Sequence, residues 1–313
     1  ENILFDGGDG FFSTGISTKS VLLTSGKAGN IFVEAGHLLN IVNGAEISST
    51  TSSKKDAGNI FIKANAVELD GQGANRETRV ASSAVSGSSG GNAGEITFEV
   101  QDQISVVNSA TIASLTEESG DAGSISITTG SLLLDGQGSE LLTGCTTQAN
   151  TESSAKSGIV KIQARDLVSV LNGAQISSST FAAGDAGGIS LNAANLLVDD
   201  QGSEFFTLIT SSSQAGSTGN AGTVELSISD ELTILNGGQV ITATWASGDA
   251  GEIRVDAGNV VIAGQAADKR TVIASATVAG STGNSGSVVL TVDDQLSLLS
   301  GGEITTSTGG TGN

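Results

Sequence analysis

The strongest constraint on this chain is a glycine that returns at a nearly fixed interval. It follows Ala or Ser each time, and it occurs at Gly29, Gly58, Gly94, Gly123, Gly158, Gly187, Gly222, Gly251 and Gly286. The intervals are 29, 36, 29, 35, 29, 35, 29 and 35 residues, so a short unit and a long unit alternate. A period of this length is typical of solenoids, in which each unit is one coil that packs on its neighbours. We expect the glycine to be needed at each corner because it permits the chain to bend.

Within each unit the apolar residues recur with a period of two, which is typical of strands with one buried face. The residue two positions after each glycine is always β-branched: Ile31, Ile60, Ile96, Ile125, Val160, Ile189, Val224, Ile253 and Val288. A second apolar run and a third strand complete the unit. The sequence therefore predicts an all-β fold, a right-handed parallel β-helix of alternating 29- and 35-residue coils, with about nine full coils plus a partial first coil.

Two segments differ in how they fit the repeat. Residues 1–26 match the back part of a long coil, since NILFDGGDGFF parallels NLLVDDQGSEFF, and residues 27–313 form a continuous β-helix of short and long coils. We expect a single solenoid domain. Neither end carries an atypical capping unit. Two interpretations follow: a segment of a longer array, or open ends that stack on one another to build a fibre.

The charge balance restricts the classes of partner. Thirteen Lys and Arg stand against 33 Asp and Glu, a net charge of -20, which repels nucleic acid and anionic membrane surfaces. No apolar run approaches the roughly 20 residues that span a bilayer. Hydrophobic residues make up 37% of the chain and fall at regular places, which argues against disorder. We expect no nucleic-acid partner and no membrane insertion.

The residues with catalytic potential occupy repeat positions. His37, the only histidine, stands where later short units have Asp in a turn, and Cys145 stands where sister units have Ile or Val. Glycosidic cleavage needs two unlike carboxylates that converge on one bond. The acids here instead recur with the coil, at Asp70, Asp135, Asp56, Asp121, Asp185 and Asp249. The sequence predicts turn roles for them, and no catalytic, cofactor-binding or metal-binding residue.

Calcium is the one ion that this composition brings into question. The nonapeptide pattern of calcium-binding β-rolls is missing, and only DGGDG at residues 6–10 resembles part of it. We expect no cofactor, with calcium kept as the weaker alternative.

Three polar columns follow from the repeat. Two residues before each glycine, acid alternates with base or amide, as at Lys27 and Asp56, which predicts that like charges are kept from stacking. A second column predicts a stacked amide ladder: Asn43, Asn108, Asn172 and Asn236 at the offset of Gln72, Gln137, Gln201 and Gln265. Long units insert about four residues nearby, which argues against that ladder. A third column of Ser and Thr shares the parity of Ile47 and should point inward, unlike the outward Thr array of an ice-binding surface.

The units AGNIFVEAGHLLNIVNGAEISSTT and NAGTVELSISDELTILNGGQVITAT, alternating with DGQGSE loops, resemble the repeat region of filamentous-haemagglutinin-like large exoproteins of two-partner secretion systems. The resemblance covers essentially the whole chain. It implies export through an outer-membrane secretion β-barrel and folding into a β-helical rod outside a Gram-negative cell. It also implies partners such as a host cell, a surface polymer or neighbouring copies.

These observations predict a structural, rod-like segment of a secreted cell-surface adhesin or extracellular filament, without catalysis. The alternative is a β-helix that binds or cleaves polysaccharide. A partner-binding surface should lie where the repeat is broken. The candidates are the outward aromatic residues Phe32 and Phe61 on adjacent coils, Trp245, and the variable loops at 73–79 and 140–156.

Overall fold

The computed structural model is a β-solenoid of about nine turns, and it confirms the predicted right-handed parallel β-helix. It describes residues 1–8, 13–21, 26–72, 76–85, 90–117, 119–139, 141–150, 154–264 and 269–312. Every strand pairing in these ranges is parallel, and each coil contributes to three faces. No helix long and apolar enough to cross a membrane occurs in the described ranges.

The first face follows the glycine corner. Its separate strands, numbered along the chain, are β3 (Ile31–Glu34), β6 (Ile60–Ala64), β9 (Ile96–Val100), β12 (Ile125–Thr129) and β15 (Val160–Ala164). In the later coils one strand runs along both the first and the second face: β18 (Ile189–Asp199), β20 (Val224–Leu235), β22 (Ile253–Ala263) and β24 (Val288–Leu299). A register shift marks the corner between the two faces in these pairings.

The second and third faces complete each coil. The separate strands of the second face are β1 (Ile3–Asp6), β4 (Leu38–Val42), β7 (Ala66–Asp70), β10 (Gln103–Val107), β13 (Ser131–Asp135) and β16 (Leu167–Leu171). The third face is a ten-stranded sheet of β2 (Gly15–Ser20), β5 (Glu46–Thr51), β8 (Thr78–Ala84), β11 (Ala110–Thr116), β14 (Gly144–Ala149), β17 (Gln175–Thr180), β19 (Leu208–Ser213), β21 (Gln239–Thr244), β23 (Val272–Thr277) and β25 (Glu303–Thr308).

The core is one apolar column that runs through the coils. Alternation produces it directly: in β3, Ile31 and Val33 are buried while Phe32 and Glu34 are exposed. Equivalent residues of neighbouring coils stand in register, so each inward side chain packs on the same position above and below. Because strands in a parallel sheet lie about 4.8 Å apart, the nine steps of the third face span about 43 Å.

The corner glycines are needed because neighbouring coils approach closely. A Cβ atom at Gly58, Gly94 or Gly123 would overlap the carbonyl oxygen of the corner glycine one coil earlier. The same holds at Gly158, Gly187, Gly222, Gly251 and Gly286. None of these glycines has a positive φ, so the reason is the space between backbones rather than an unusual bend.

A column of buried hydroxyls completes this corner. Eight fully buried residues of the third face each bond a backbone group of a corner glycine: Ser49, Ser82, Ser114, Thr147, Ser178, Ser211, Thr242 and Ser275. The hydroxyl of Ser211 donates to the Gly187 carbonyl at 2.8 Å and accepts from the Gly222 N–H at 2.7 Å. We call these hydroxyls and the corner glycines the corner seam.

The inward orientation predicted for this column is confirmed. Thr51, four residues after Ile47, is also fully buried, and its hydroxyl donates to the Lys55 carbonyl at 2.6 Å. Thr308, in the last strand, is exposed.

We expect Ser211→Ala to lower the free energy of unfolding by about 1 to 3 kcal/mol, because it removes two hydrogen bonds from the partly buried Gly187 carbonyl and Gly222 N–H. The control is Ser190→Ala on β18, a partly exposed outward position, which should change stability by less than about 0.5 kcal/mol. Chemical unfolding followed by circular dichroism measures both. Equal effects of the two substitutions would contradict the role of the corner seam.

Candidate functional site

The corner acids serve the backbone of the next coil. A side-chain oxygen of Asp56 accepts the Asn92 N–H at 3.1 Å, and the three later corner acids repeat this bond: Asp121 to Lys156 at 2.8 Å, Asp185 to Asn220 at 2.9 Å and Asp249 to Asn284 at 2.7 Å. The turn role predicted for these acids is confirmed. Charge also contributes at Asp56, because the Lys27 ammonium lies 2.7 Å away and lowers the pKa of that carboxyl.

The Asp residues of the long-coil loops have a second repeated role. Asp70 Oδ1 accepts the Gln72 N–H at 2.8 Å within its own turn and the Asn108 amide at 2.9 Å from the next coil. The same pair of bonds recurs at Asp135 and Asp199. The predicted ladder, in which Asn amides stack on Gln amides, is therefore wrong, because the Asn amides donate to Asp carboxylates instead. Both amide types instead share a left-handed backbone, with φ between 49° and 55° in Asn43, Gln72, Asn108, Gln137, Asn172, Gln201 and Asn236. Gln265 lies outside the described residues.

The two residues with nucleophile or base chemistry lie where the repeat predicts. His37 is exposed in the turn between β3 and β4, and its carbonyl accepts the Asn65 and Ala66 N–H groups. Cys145 is fully buried and pairs in register with Ile112 and Ile176. Burial raises the pKa of its thiol to about 12, so the thiol stays protonated and unreactive at neutral pH.

The calcium motif is only partly described, since residues 9–12 lie outside the described ranges. Asp6 acts there as a turn residue, because its Oδ1 accepts the Gly8 N–H at 3.0 Å and the Asn43 amide at 3.3 Å. Across the described residues, no three His, Cys, Asp or Glu side chains are grouped to hold a metal ion.

The three aromatic candidates do not form one site. Phe32 and Phe61 stack on the first face with ring centroids 4.9 Å apart and an interplanar angle of 7°. Phe32 is 66% exposed, whereas Phe61 is partly covered. Trp245 is 40% exposed and follows β21 at the end of the third face, several coils further along the axis. The stacked pair joins two neighbouring coils.

The variable loops are described only in part. Of loop 73–79, residues 73–75 lie outside the described ranges, and Arg79 pairs with Glu46 at 3.1 Å and Glu77 at 3.2 Å. Of loop 140–156, residues 140 and 151–153 lie outside, and the described part exposes Leu141 and Leu142. The partner-contact hypothesis remains a prediction at all of these positions.

A buried ion pair departs from the repeat. The side chain of Asp200 is 1% exposed, and that of Lys269, from the next long coil, is 13% exposed. The ammonium lies 3.1 and 3.0 Å from the two carboxylate oxygens and also donates to the Ser203 carbonyl at 2.6 Å. The Thr207 hydroxyl donates to Asp200 at 3.0 Å. The charged groups of Asp200 and Lys269 are thus occupied by hydrogen bonds within the protein. We call this ion pair, which joins two long coils, the clamp.

Sequence reasoning missed this clamp, although one signal was present. The sister loops read LDGQG at 69–73 and 134–138, whereas this one reads VDDQG at 198–202, so Asp200 replaces a glycine. A charged residue in a position otherwise occupied by glycine indicates a new partner. That partner lies two coils away, so a comparison of adjacent coils does not find it.

An open groove runs along the axis of the described coils. It follows the turn between the first and second faces, in two adjoining parts of about 540 and 680 Å³, and Thr128 and Arg165 line both parts. We call it the axial groove. One wall is a column of exposed side chains in register: Glu34, Lys63, Glu99, Thr128, Gln163, Asn192, Ser227 and Asp256.

The wall column of the axial groove is neutral in its middle and carries acids on both sides, together with Lys63, which pairs with Glu34 at 3.2 Å. Four neutral side chains, from Thr128 to Ser227, occupy four successive coils, with Glu99 on one side and Asp256 on the other. Arg165 crosses the groove and donates to the Gln101 carbonyl, two coils earlier, at 2.6 Å. No described acidic side chain forms an ion pair with Arg165.

We expect Lys269→Met to lower the free energy of unfolding by about 3 to 5 kcal/mol, because it leaves the Asp200 carboxylate buried without its cation. The double variant Asp200→Gly with Lys269→Met restores the glycine of the sister coils and should be more stable than the single variant. Lys161→Met, an exposed outward position, is the control. Urea unfolding midpoints measure all three; a single variant as stable as the control would contradict the clamp.

Comparison with known proteins adds nothing to the β-helical fold that the structure shows. Protein-family models, curated proteins and solved structures yielded no match to this chain. The likeness to filamentous-haemagglutinin-like repeats therefore rests on the repeat units alone, and what it implies about activity is taken up as a proposal.

Proposed function

We propose that this chain is a rigid, non-catalytic, rod-like segment of a secreted cell-surface adhesin or extracellular filament. One observation carries the proposal: the same seam, turn and core contacts recur from coil to coil through about nine turns. Length and stiffness are then properties of the whole array, because each coil depends only on its neighbours. A rod of this kind separates whatever lies at its two ends.

The polar chemistry supports a structural role. The recurring acids accept backbone N–H groups, and the Asn amides bond the acids of the long-coil loops, so these acids are engaged in turns. The net charge of -20 also keeps rods from associating unspecifically, since bodies of like charge repel each other.

The repeat resemblance supports the location outside a Gram-negative cell and an outer-membrane β-barrel as the export partner. The fold is compatible with export through a pore, because coils that contact only their neighbours can form one after another as the chain emerges. The partners of the assembled rod would be a host cell, a surface polymer or neighbouring copies.

Deletion of residues 29–93 in frame tests the proposal. It removes one short and one long coil, joins Ala28 to Gly94 in the repeat register, and should shorten the rod by about 10 Å. It leaves the Asp200–Lys269 clamp and the larger part of the axial groove in place. We expect surface location and attachment of the producing cells to persist, as shown by immunogold microscopy and an adhesion assay. Deletion of 29–79 breaks the register and is the misfolding control. A chain found inside the cell, or attachment lost with the fold intact, would overturn the proposal.

The axial groove favours one part of the alternative, a β-helix that binds polysaccharide. Cleavage of a polysaccharide is a separate claim, and it would use acids of the groove such as Asp256 and Asp293. Formation of new reducing ends by the unmodified chain, lost in Asp256→Asn, would contradict a non-catalytic rod.

A further inference from the structure

We infer that the axial groove binds a linear, uncharged polysaccharide that lies parallel to the rod axis. This inference goes beyond the proposed rod function, since a rod needs no ligand along its side. It rests on the shape of the groove, on which of its groups remain free to bond a ligand, and on its charge.

The shape suits an extended chain. The two parts of the groove adjoin at Thr128 and Arg165, and their lining residues run from Glu34 at one end to Asp293 at the other. The larger part alone spans successive coils from Thr128 to Asp293. Successive coils present the same wall position about every 4.8 Å, which is close to the length of one sugar unit in an extended glycan. A ligand with a regular repeat therefore meets equivalent contacts on consecutive coils.

The groups that remain free are side chains. The backbone of the first-face strands is occupied by pairing with the coils above and below, so an added peptide strand has no sheet edge to join here. What the central wall offers is the hydroxyl of Thr128, the amides of Gln163 and Asn192, and the hydroxyl of Ser227. Amides and hydroxyls both donate and accept, as sugar hydroxyls do.

The apolar part of the lining is small. Ala164, Ala193, Ala194, Ala257 and Gly258 line the central part. No large apolar anchor of the kind that seats a peptide side chain occurs among the described lining residues, apart from the mostly buried Ile228. The surface therefore favours a polar, shallow ligand over an amphipathic one.

The charge of the groove selects against polyanions. The described lining carries four carboxylates, at Glu34, Glu99, Asp256 and Asp293, against two cations, at Lys63 and Arg165, and Lys63 is already paired with Glu34. A uronate or sulfate on every sugar would therefore meet an excess of like charge. Arg165 is the one cation of the central part, and its guanidinium can donate to a sugar hydroxyl beside the Gln101 carbonyl that it already bonds. An uncharged backbone fits this distribution.

Titration calorimetry with the whole chain tests the inference. The probes are uncharged β-1,4- and β-1,3-glucan hexasaccharides, with a polygalacturonate hexasaccharide as the charged counterpart. We expect an uncharged probe to bind and the charged one to bind at least tenfold more weakly. The double variant Gln163→Ala with Asn192→Ala should weaken binding at least tenfold.

Two further variants keep the test independent of folding. Ser227→Trp places a large side chain at an exposed position of the groove and should abolish binding while the circular dichroism spectrum and unfolding midpoint stay unchanged. The matched control is Ser126→Ala with Ser190→Ala. These serines lie on the same strands, β12 and β18, two residues before Thr128 and Asn192, and they do not line the groove. The control variant should bind as the unmodified chain does.

The inference is overturned if no uncharged probe binds the folded chain, if binding survives in both groove variants, or if the charged probe or an unstructured peptide binds in preference. These variants leave the core and corner seam intact. Surface location and attachment of the producing cell therefore test the rod proposal separately, and either proposal can fail alone.

Discussion

The structure depends on the bond between a buried hydroxyl and the glycine corner. Stacking coils with carbonyl oxygens so close to the next backbone excludes every side chain at the corners from Gly58 to Gly286, and it leaves most of the backbone groups there partly or fully buried. The Ser and Thr hydroxyls satisfy those groups from inside, as Ser211 does with Gly187 and Gly222. Because an unsatisfied buried polar group costs about 1 to 3 kcal/mol, the corner and its hydroxyl must repeat together.

This arrangement explains why so polar a chain has a continuous core. Inward Ser and Thr fill the space beside the corner, while Ile, Val and Leu fill the remainder of each cross-section. The acids and amides complete the turns on the outside, where Asp70 serves two coils with one oxygen. Most polar groups of the repeat are therefore committed to holding coils together, and chemistry directed at a partner is left to positions such as the axial groove.

Much of the fold could be predicted because one period determines it. The burial of Cys145, the turn at His37 and the inward hydroxyls all follow from position in the repeat, and the structure confirms them. The amide ladder was predicted with the wrong partner, since equal spacing places Asn108 near Gln72 but cannot show that its amide reaches Asp70. The glycine column was predicted correctly, although its cause is close packing rather than a bend.

The features with functional interest could not be predicted in the same way. Asp200 with Lys269, and Arg165 with the Gln101 carbonyl, each join residues two coils apart, 69 and 64 positions along the chain. A comparison of adjacent coils does not find such contacts, because the two partners lie in coils that are not neighbours. The groove is lined at the turns by small residues such as Ala194 and Gly258, and these residues form no recognisable sequence motif.

Hydrogen exchange at residue resolution tests the central claim, that the corner seam joins every coil to the next. The glycine amides that donate to the hydroxyl column, Gly58, Gly94, Gly123, Gly222 and Gly286, should exchange as slowly as the amides of the flanking strands. Glycines in open turns, such as Gly216 and Gly280, should exchange rapidly. Rapid exchange at the corner glycines while the strands stay protected would contradict the account, because the coils would then be held by their sheets alone.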